Sequence, residues 1–233
     1  MANTNNVETI MRNAIDSATS REHEYVTLEH IVLSLLDDPE ILMICDQLEV
    51  DVSIIIQDIE NYLNNDDFAG LKSSNGTKGS PKKTKSIERV FQRGLAQVMF
   101  NNKKDFRSVD LLLAVLGEDE CMAKYFCEIN GLTPEAIKHA VVKTIAVEEN
   151  KELLEEFHSL AEKLDVKIMK GKGDFSGGSC IVNEEKVIVI NNMKPIEQRL
   201  NTLATCFKDY NLEGLYIVPA LRKYIDEATR LEL

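Results

Sequence analysis

Shifted by 80 positions, the chain lies on itself. The segment TIMRNAIDSATSREHEYVTLEHIVLSLLDDPE (9–40) superimposes without a gap on RVFQRGLAQVMFNNKKDFRSVDLLLAVLGEDE (89–120). Apolar positions coincide at Ile10/Val90, Met11/Phe91, Ile15/Leu95, Ala18/Val98, Val26/Phe106, Ile31/Leu111, Val32/Leu112, Leu35/Val115 and Leu36/Leu116. After two extra residues, LEVDVSIIIQDIENYL (48–63) answers INGLTPEAIKHAVVKTI (129–145). A repeat of this kind governs the architecture, because each copy must bury the same pattern against its neighbour. Repeats at about 8–65 and 87–145 define a first domain, 1–146.

Each copy reads as about four helices. Ile10, Ala14, Ile15 and Ala18 recur at steps of three and four, one face of a helix. Thr27 stands where an N-cap belongs, ahead of the strongly apolar LEHIVLSLL. Asp37-Asp38-Pro39 stops that helix, and a short one follows through ILMICDQL. Asp51 caps VSIIIQDIENYL; in the second copy Thr133 does so, with Pro134 at the first helical position, where a missing N–H costs nothing. About 55 residues alone would bury a marginal core, so the copies should share one as a pseudo-twofold bundle of eight helices.

Charge narrows the partners. The 233 residues carry 27 Lys and Arg against 39 Asp and Glu, a net charge of −12. Nucleic acid is a poor general partner for such a chain, since phosphate binding needs clustered cations. Two basic and fifteen acidic residues fall in 1–67, whereas 68–86 (FAGLKSSNGTKGSPKKTKS) holds five lysines and no acid. That stretch reads as a flexible Lys-rich linker between the repeats. No apolar run approaches the roughly 18–20 residues of a membrane span, and the N-terminus lacks the basic and apolar regions of a signal peptide. Five cysteines, an odd number with no CxxC, indicate neither a disulfide frame nor a zinc knuckle. A cytoplasmic protein without a cofactor is the expectation.

The block REHEYVTLEHIVLSLLDDPEI (21–41), with RVFQRGLAQV (89–98) and the paired capped helices, resembles the N-terminal double repeat of Clp ATPases, the ClpA type above all. The resemblance covers about residues 7–146. It implies an all-helical, non-enzymatic module that docks substrates or adaptors, notably ClpS-type adaptors, for a Clp unfoldase. It also implies an adaptor-binding surface at His23, Glu24, Tyr25, Thr27 and Glu29. Glu24 and Glu29 offer acceptors to a basic partner and Tyr25 an amphipathic anchor. Structural roles compete: Thr27 as a helix cap, Glu29 as a first-turn carboxylate favoured by the helix dipole, Tyr25 as half-buried packing. The second copy reads NNKKDF at the same loop, so only the first would make an acidic site. The motor is missing from these residues: nothing reads GxxxxGK[ST], and the lysines and glycines of 76–86 have the wrong spacing to cradle phosphate.

Histidine suggests a metal, since His23, Glu24 and His30 lie close together, but their spacing matches no ligand motif, and no metal site is expected. Cys45, Cys121, Cys127 and Cys206 sit in apolar helical patterns and read as small core residues.

After residue 146 the period changes. ENKELLEEFHSLAEKL (149–164) places Leu153, Leu154, Phe157, Leu160, Ala161 and Leu164 on one helical face. VKIMK (166–170), SCIVN (179–183) and KVIVINN (186–192) read as strands, the last two forming a hairpin at Asn183-Glu184-Glu185. Pro195 and Pro219 stand near the starts of two further helices. Residues 150–233 thus form a small α+β domain, with three antiparallel strands covered by helices, weakly similar to small uncharacterised bacterial α+β proteins. The glycines of GKGDFSGG fit no nucleotide-binding spacing, and glycine's freedom in a tight loop explains them. Asp174, Cys180 and Asp209 are scattered and lack a His partner. The expected function is a protein-interaction module without its ATPase. The alternative is a small ligand-binding or enzymatic α+β domain that the repeats recruit to Clp proteolysis machinery.

Overall fold

The helices of the first repeat return in the second. In the computed structural model, which describes residues 4–65, 80–101, 103–182 and 184–230, α1 (Thr4–Ser20), α2 (Leu28–Leu35), α3 (Pro39–Gln47) and α4 (Val52–Leu63) are answered by α5 (Lys85–Phe100), α6 (Ser108–Leu116), α7 (Met122–Ile129) and α8 (Pro134–Lys163). The start of α6 lies 80 residues after that of α2, and the start of α8 lies 82 after that of α4, as the two-residue insertion requires. Caps fall where side-chain chemistry places them. Asp51 Oδ1 accepts from Ser53 N at 3.0 Å, and Thr133 Oγ1 accepts from Ala136 N at 3.2 Å. Asp38 both ends one helix and opens the next, its Oδ1 accepting from Glu40 N at 2.9 Å. One core draws on both copies, with Ala14, Ile31, Leu35 and Ile59 packed among Val90, Leu111, Val115 and Ile137.

Equivalent positions trade volume. Repeat one pairs Ala14 with Val26; repeat two has Gly94 and Phe106 at those places. A Cβ on Gly94 would lie 2.7 Å from Phe106 Cε2, so the glycine makes room for the ring. The Phe106 ring is held edge-on against Phe91, with centroids 6.0 Å apart.

The Lys-rich linker is a partial correction. Residues 68–79 lie outside the described residues. Beyond them, β2 (Lys82–Lys83) pairs in parallel with β1 (Tyr25–Val26), Tyr25 opposite Lys82 and Val26 opposite Lys83, and α5 already begins at Lys85. Backbone pairing captures these lysines: Lys82 N donates to Glu24 O at 2.9 Å and Thr84 N to Val26 O at 3.3 Å. A second difference is α8. The helical stretches read up to 145 and from 149 join into one helix, because PEAIKHAVVKTIAVEENKELLEEFHSLAEK contains no glycine and no proline after its first residue.

The chain divides into two units, Met1–Val142 and Lys143–Leu233. The second holds β3 (Val166–Gly171), β4 (Gly178–Val182) and β5 (Glu185–Asn191), followed by α9 (Ile196–Phe207) and α10 (Pro219–Arg230). Its core joins Phe157 and Leu160 to Ile188, Ile190, Leu203, Phe207 and Ile225, with the Phe157 and Phe207 rings stacked at 5.6 Å. The strand order is β3-β5-β4. The β4–β5 hairpin is antiparallel, but β3 runs parallel to β5 instead of antiparallel. Val187, Ile188 and Ile190 make β5 the most buried strand, so it takes the centre with a partner on each side; the chain reverses once between β3 and β4 and again between β4 and β5, which leaves β3 and β5 running the same way.

The glycine loop between β3 and β4 is tied down by Asn191. This buried side chain donates to Gly173 O and Phe175 O, both at 2.7 Å. Gly177, at φ +96°, would bring a Cβ to 2.7 Å from Val189 O, so its glycine serves packing and not phosphate.

Candidate docking surface

The loop after α1 brings the five predicted residues into one corner with different surroundings. His23 and His30 are both buried, and His23 Nδ1 lies 3.1 Å from His30 Nε2. Thr27 caps α2, and the cap closes through His30, whose Nδ1 accepts the Thr27 N–H at 3.1 Å. An accepting Nδ1 leaves the ring proton on Nε2, which therefore donates to His23 Nδ1. Burial first, then the neighbouring His23 and Arg21, lowers the His30 pKa to about 3, so the ring is neutral at pH 7.

Repeat two rebuilds this arrangement with other chemistry. Asp110 replaces His30 and accepts the Arg107 N–H at 3.2 Å, while Lys103 replaces His23 and donates to Asp110 Oδ1 at 2.8 Å. A neutral imidazole pair in one copy is an ion pair in the other.

Glu29 is buried. Its Oε1 accepts from Ala123 N at 3.4 Å, in the first turn of α7, so it joins the two repeats. Glu40 acts alike, with Oε2 3.4 Å from Val109 N in the first turn of α6 and Oε1 3.3 Å from Arg107. Burial raises the Glu40 pKa. Both helix N-termini favour a carboxylate. Of the predicted five, Glu24, Tyr25 and Thr27 keep partial exposure. Glu24 faces Lys82 Nζ at 3.4 Å, and that ammonium lies 6.0 Å from the Tyr25 ring centroid.

Sequence reasoning overlooked a groove between α1 and α5. Val7 and Met11 face Ile87 and Phe91 across an apolar floor, with Glu8, Glu88 and Lys83 at its rim, enclosing about 410 Å³. Each pair is related by the 80-residue shift: 7 with 87, 8 with 88, 11 with 91. The groove is therefore assembled from equivalent positions of the two repeats. Its signal was in the chain, since Met11/Phe91 is an aligned apolar pair and Glu recurs at 8 and 88. Lys83 belongs to β2, so the strand that meets the Glu24 corner through Lys82 continues to the groove.

Residues 3–130 match the sequence model of the Clp repeat (R) N-terminal domain. The chain belongs to this Clp repeat family. A ClpA homolog protein from Fuscovulum blasticum is 27% identical over 141 residues; the match covers 59% of this chain and 18% of that protein's length. A chain from structural investigations of a malarial protein secretion system superimposes with a TM-score of 0.51 at 17% identity, covering 60% of this chain and 92% of the other. The ClpV N-domain, solved in complex with a VipB peptide, aligns at a TM-score of 0.42 and 19% identity over 57% of this chain and 79% of its own. The match is to the repeat domain alone, and these 233 residues contain no GxxxxGK[ST] motif. Among the described residues, no three His, Cys, Asp or Glu side chains converge as metal ligands, and no helix is long and apolar enough to cross a membrane.

Proposed function

We propose that the double repeat docks protein segments along a surface that runs from Glu24 and Tyr25, past Lys82 and Lys83, into the groove between α1 and α5. The repeat-related groove carries this reading: an apolar floor with Glu8 and Glu88 at its rim suits an apolar side chain flanked by basic groups. A ClpS-type adaptor is the proposed partner class, and its Clp machinery the destination. His23, Thr27 and Glu29 act as positioning residues behind this surface, with Glu24 and Tyr25 in front. The free cysteines, with Cys180 exposed, suit a reducing cytoplasm.

Calorimetric titration of the chain with a ClpS-type adaptor at two salt concentrations tests the proposal. The expected result is binding at about micromolar Kd, weakened by salt because the contacts are charged. Glu88→Lys should weaken it by about tenfold or more, and Glu24→Lys by less, since Lys82 already faces that carboxylate. Binding that ignores both reversals would remove the surface from the reading. No binding by folded protein would remove the adaptor.

A further inference from the structure

β2 brings an unpaired backbone edge to the groove. Lys82 N donates to Glu24 O at 2.9 Å and Thr84 N to Val26 O at 3.3 Å. Backbone groups alternate sides along a strand, so the N–H and C=O of Lys83, between these two, turn away from β1. Among the described residues nothing bonds to either group. Lys83 is exposed and stands at the rim of the floor formed by Val7, Met11, Ile87 and Phe91. Pro81, just before Lys82, has no N–H, and the residue after Thr84 already opens α5. Lys83 therefore holds the one amide donor of this edge. The counterpart of β1 in the second repeat, Asp105 and Phe106, lies in no strand among the described residues, so that repeat offers no matching edge.

We infer that the segment docked in this groove is extended and adds to the ribbon as a third strand, its main chain bonding the N–H and C=O of Lys83. A helix in the groove would offer these two groups no partner, because its own amides and carbonyls are paired within it. An extended segment presents a free acceptor and a free donor together, which is the strand-addition mode of peptide recognition. Its side chains alternate, so every second one turns onto the apolar floor while its neighbours face away. Main-chain bonds then select the conformation, and the floor selects the side chain. The class recognised is an extended stretch with apolar residues at alternate positions and no proline opposite Lys83. The inference rests on the docking reading above and specifies the shape of what docks there.

Lys83→Ala and Lys83→Pro, titrated with a ClpS-type adaptor, test it. Both variants lose the ammonium, and only proline also loses the amide proton; the bonds that hold β2 to β1 come from Lys82 and Thr84 and remain. Lys83→Pro should bind about tenfold more weakly than Lys83→Ala, the worth of one hydrogen bond. Amide exchange of the wild-type chain gives a second reading that needs no variant. The Lys83 amide, open in the free chain, should exchange about tenfold or more slowly in the complex, while the Lys82 amide, already bonded, changes little. These exchange rates carry the test if circular dichroism shows that Lys83→Pro fails to fold. Equal affinities of the two folded variants overturn the third strand, and so does a Lys83 amide that the adaptor leaves unprotected. If Glu88→Lys still weakens binding in that case, the docking surface stands and only the extended form of its occupant falls. Folded wild type that binds no adaptor removes both.

Discussion

Lowering the pH from 7 to 5 should draw stability out of the first repeat through a single imidazole. His30 is fully buried, and in the fold its pKa is lowered to about 3; in the unfolded chain it titrates near 6.5. Between those values the unfolded state binds a proton that the folded state refuses, so stability falls as pH falls below about 6.5. At about 1.36 kcal/mol per pH unit, the loss between pH 7 and 5 comes to about 2 kcal/mol. It is nearly the same for any folded value of about 4 or lower, so it rests on burial and not on the exact shift. The second repeat supplies the control. His23→Lys with His30→Asp transplants the Lys103–Asp110 pair. The unfolded aspartate takes up its proton only near pH 4, so it adds little proton-linked loss between pH 7 and 5. Urea unfolding followed by circular dichroism at pH 7, 6 and 5 would compare the two proteins. The wild type should lose at least about 2 kcal/mol more than the variant over this range, the part due to His30, with any loss at His23 adding to it and with His139 and His158 common to both. Equal losses would refute the assignment of His30 as a buried neutral ring.

Two further outcomes follow from packing. Gly94→Ala would gain about 1 kcal/mol of helix propensity, yet its Cβ would meet the Phe106 ring at 2.7 Å, an overpacking cost of about 1–3 kcal/mol. The single variant should melt lower than wild type, and Phe106→Val in the same chain, which recreates the Ala14/Val26 pair, should recover more than additivity predicts; a higher Tm for the single variant would contradict the geometry. Asn191→Ala strips two hydrogen bonds from the loop between β3 and β4, at about 0.5–1.5 kcal/mol each. Amide exchange across 172–177 should quicken, and unchanged protection would mean that Asn191 does not hold the loop.

The helices were readable because their signals are local and were written twice. Asp51 and Thr133 cap as read, and the 80-residue shift predicts α5 from α1. What escaped is non-local. Lys82 and Lys83 have the composition of a linker, and only the backbone of Glu24 and Val26, far back in the chain, makes them a strand. Three short apolar runs cannot declare that β5 sits between β3 and β4, since the choice depends on which strand the helices bury most. In the sequence His30 stands with His23 and Glu24 only as a rejected metal ligand; its part in closing the Thr27 cap needs His23 folded against it. For Glu29 the sequence leaves a partner contact and a helix-dipole role side by side; the amide it bonds, Ala123 N, belongs to a helix 94 residues away, which no local signal could name.

That reach has a structural consequence. Glu29 and Glu40 of the first repeat hold the openings of α7 and α6 in the second, while the counterpart of Glu29 is the apolar Val109. In these two contacts the copies are not interchangeable: the first gives the carboxylates and the second the helix ends that receive them, although Glu40 keeps a glutamate counterpart in Glu120. Such a duplication is not easily undone. Deleting either half would leave Glu29 and Glu40, or the openings of α6 and α7, without these partners, so neither copy is a unit that can be removed alone.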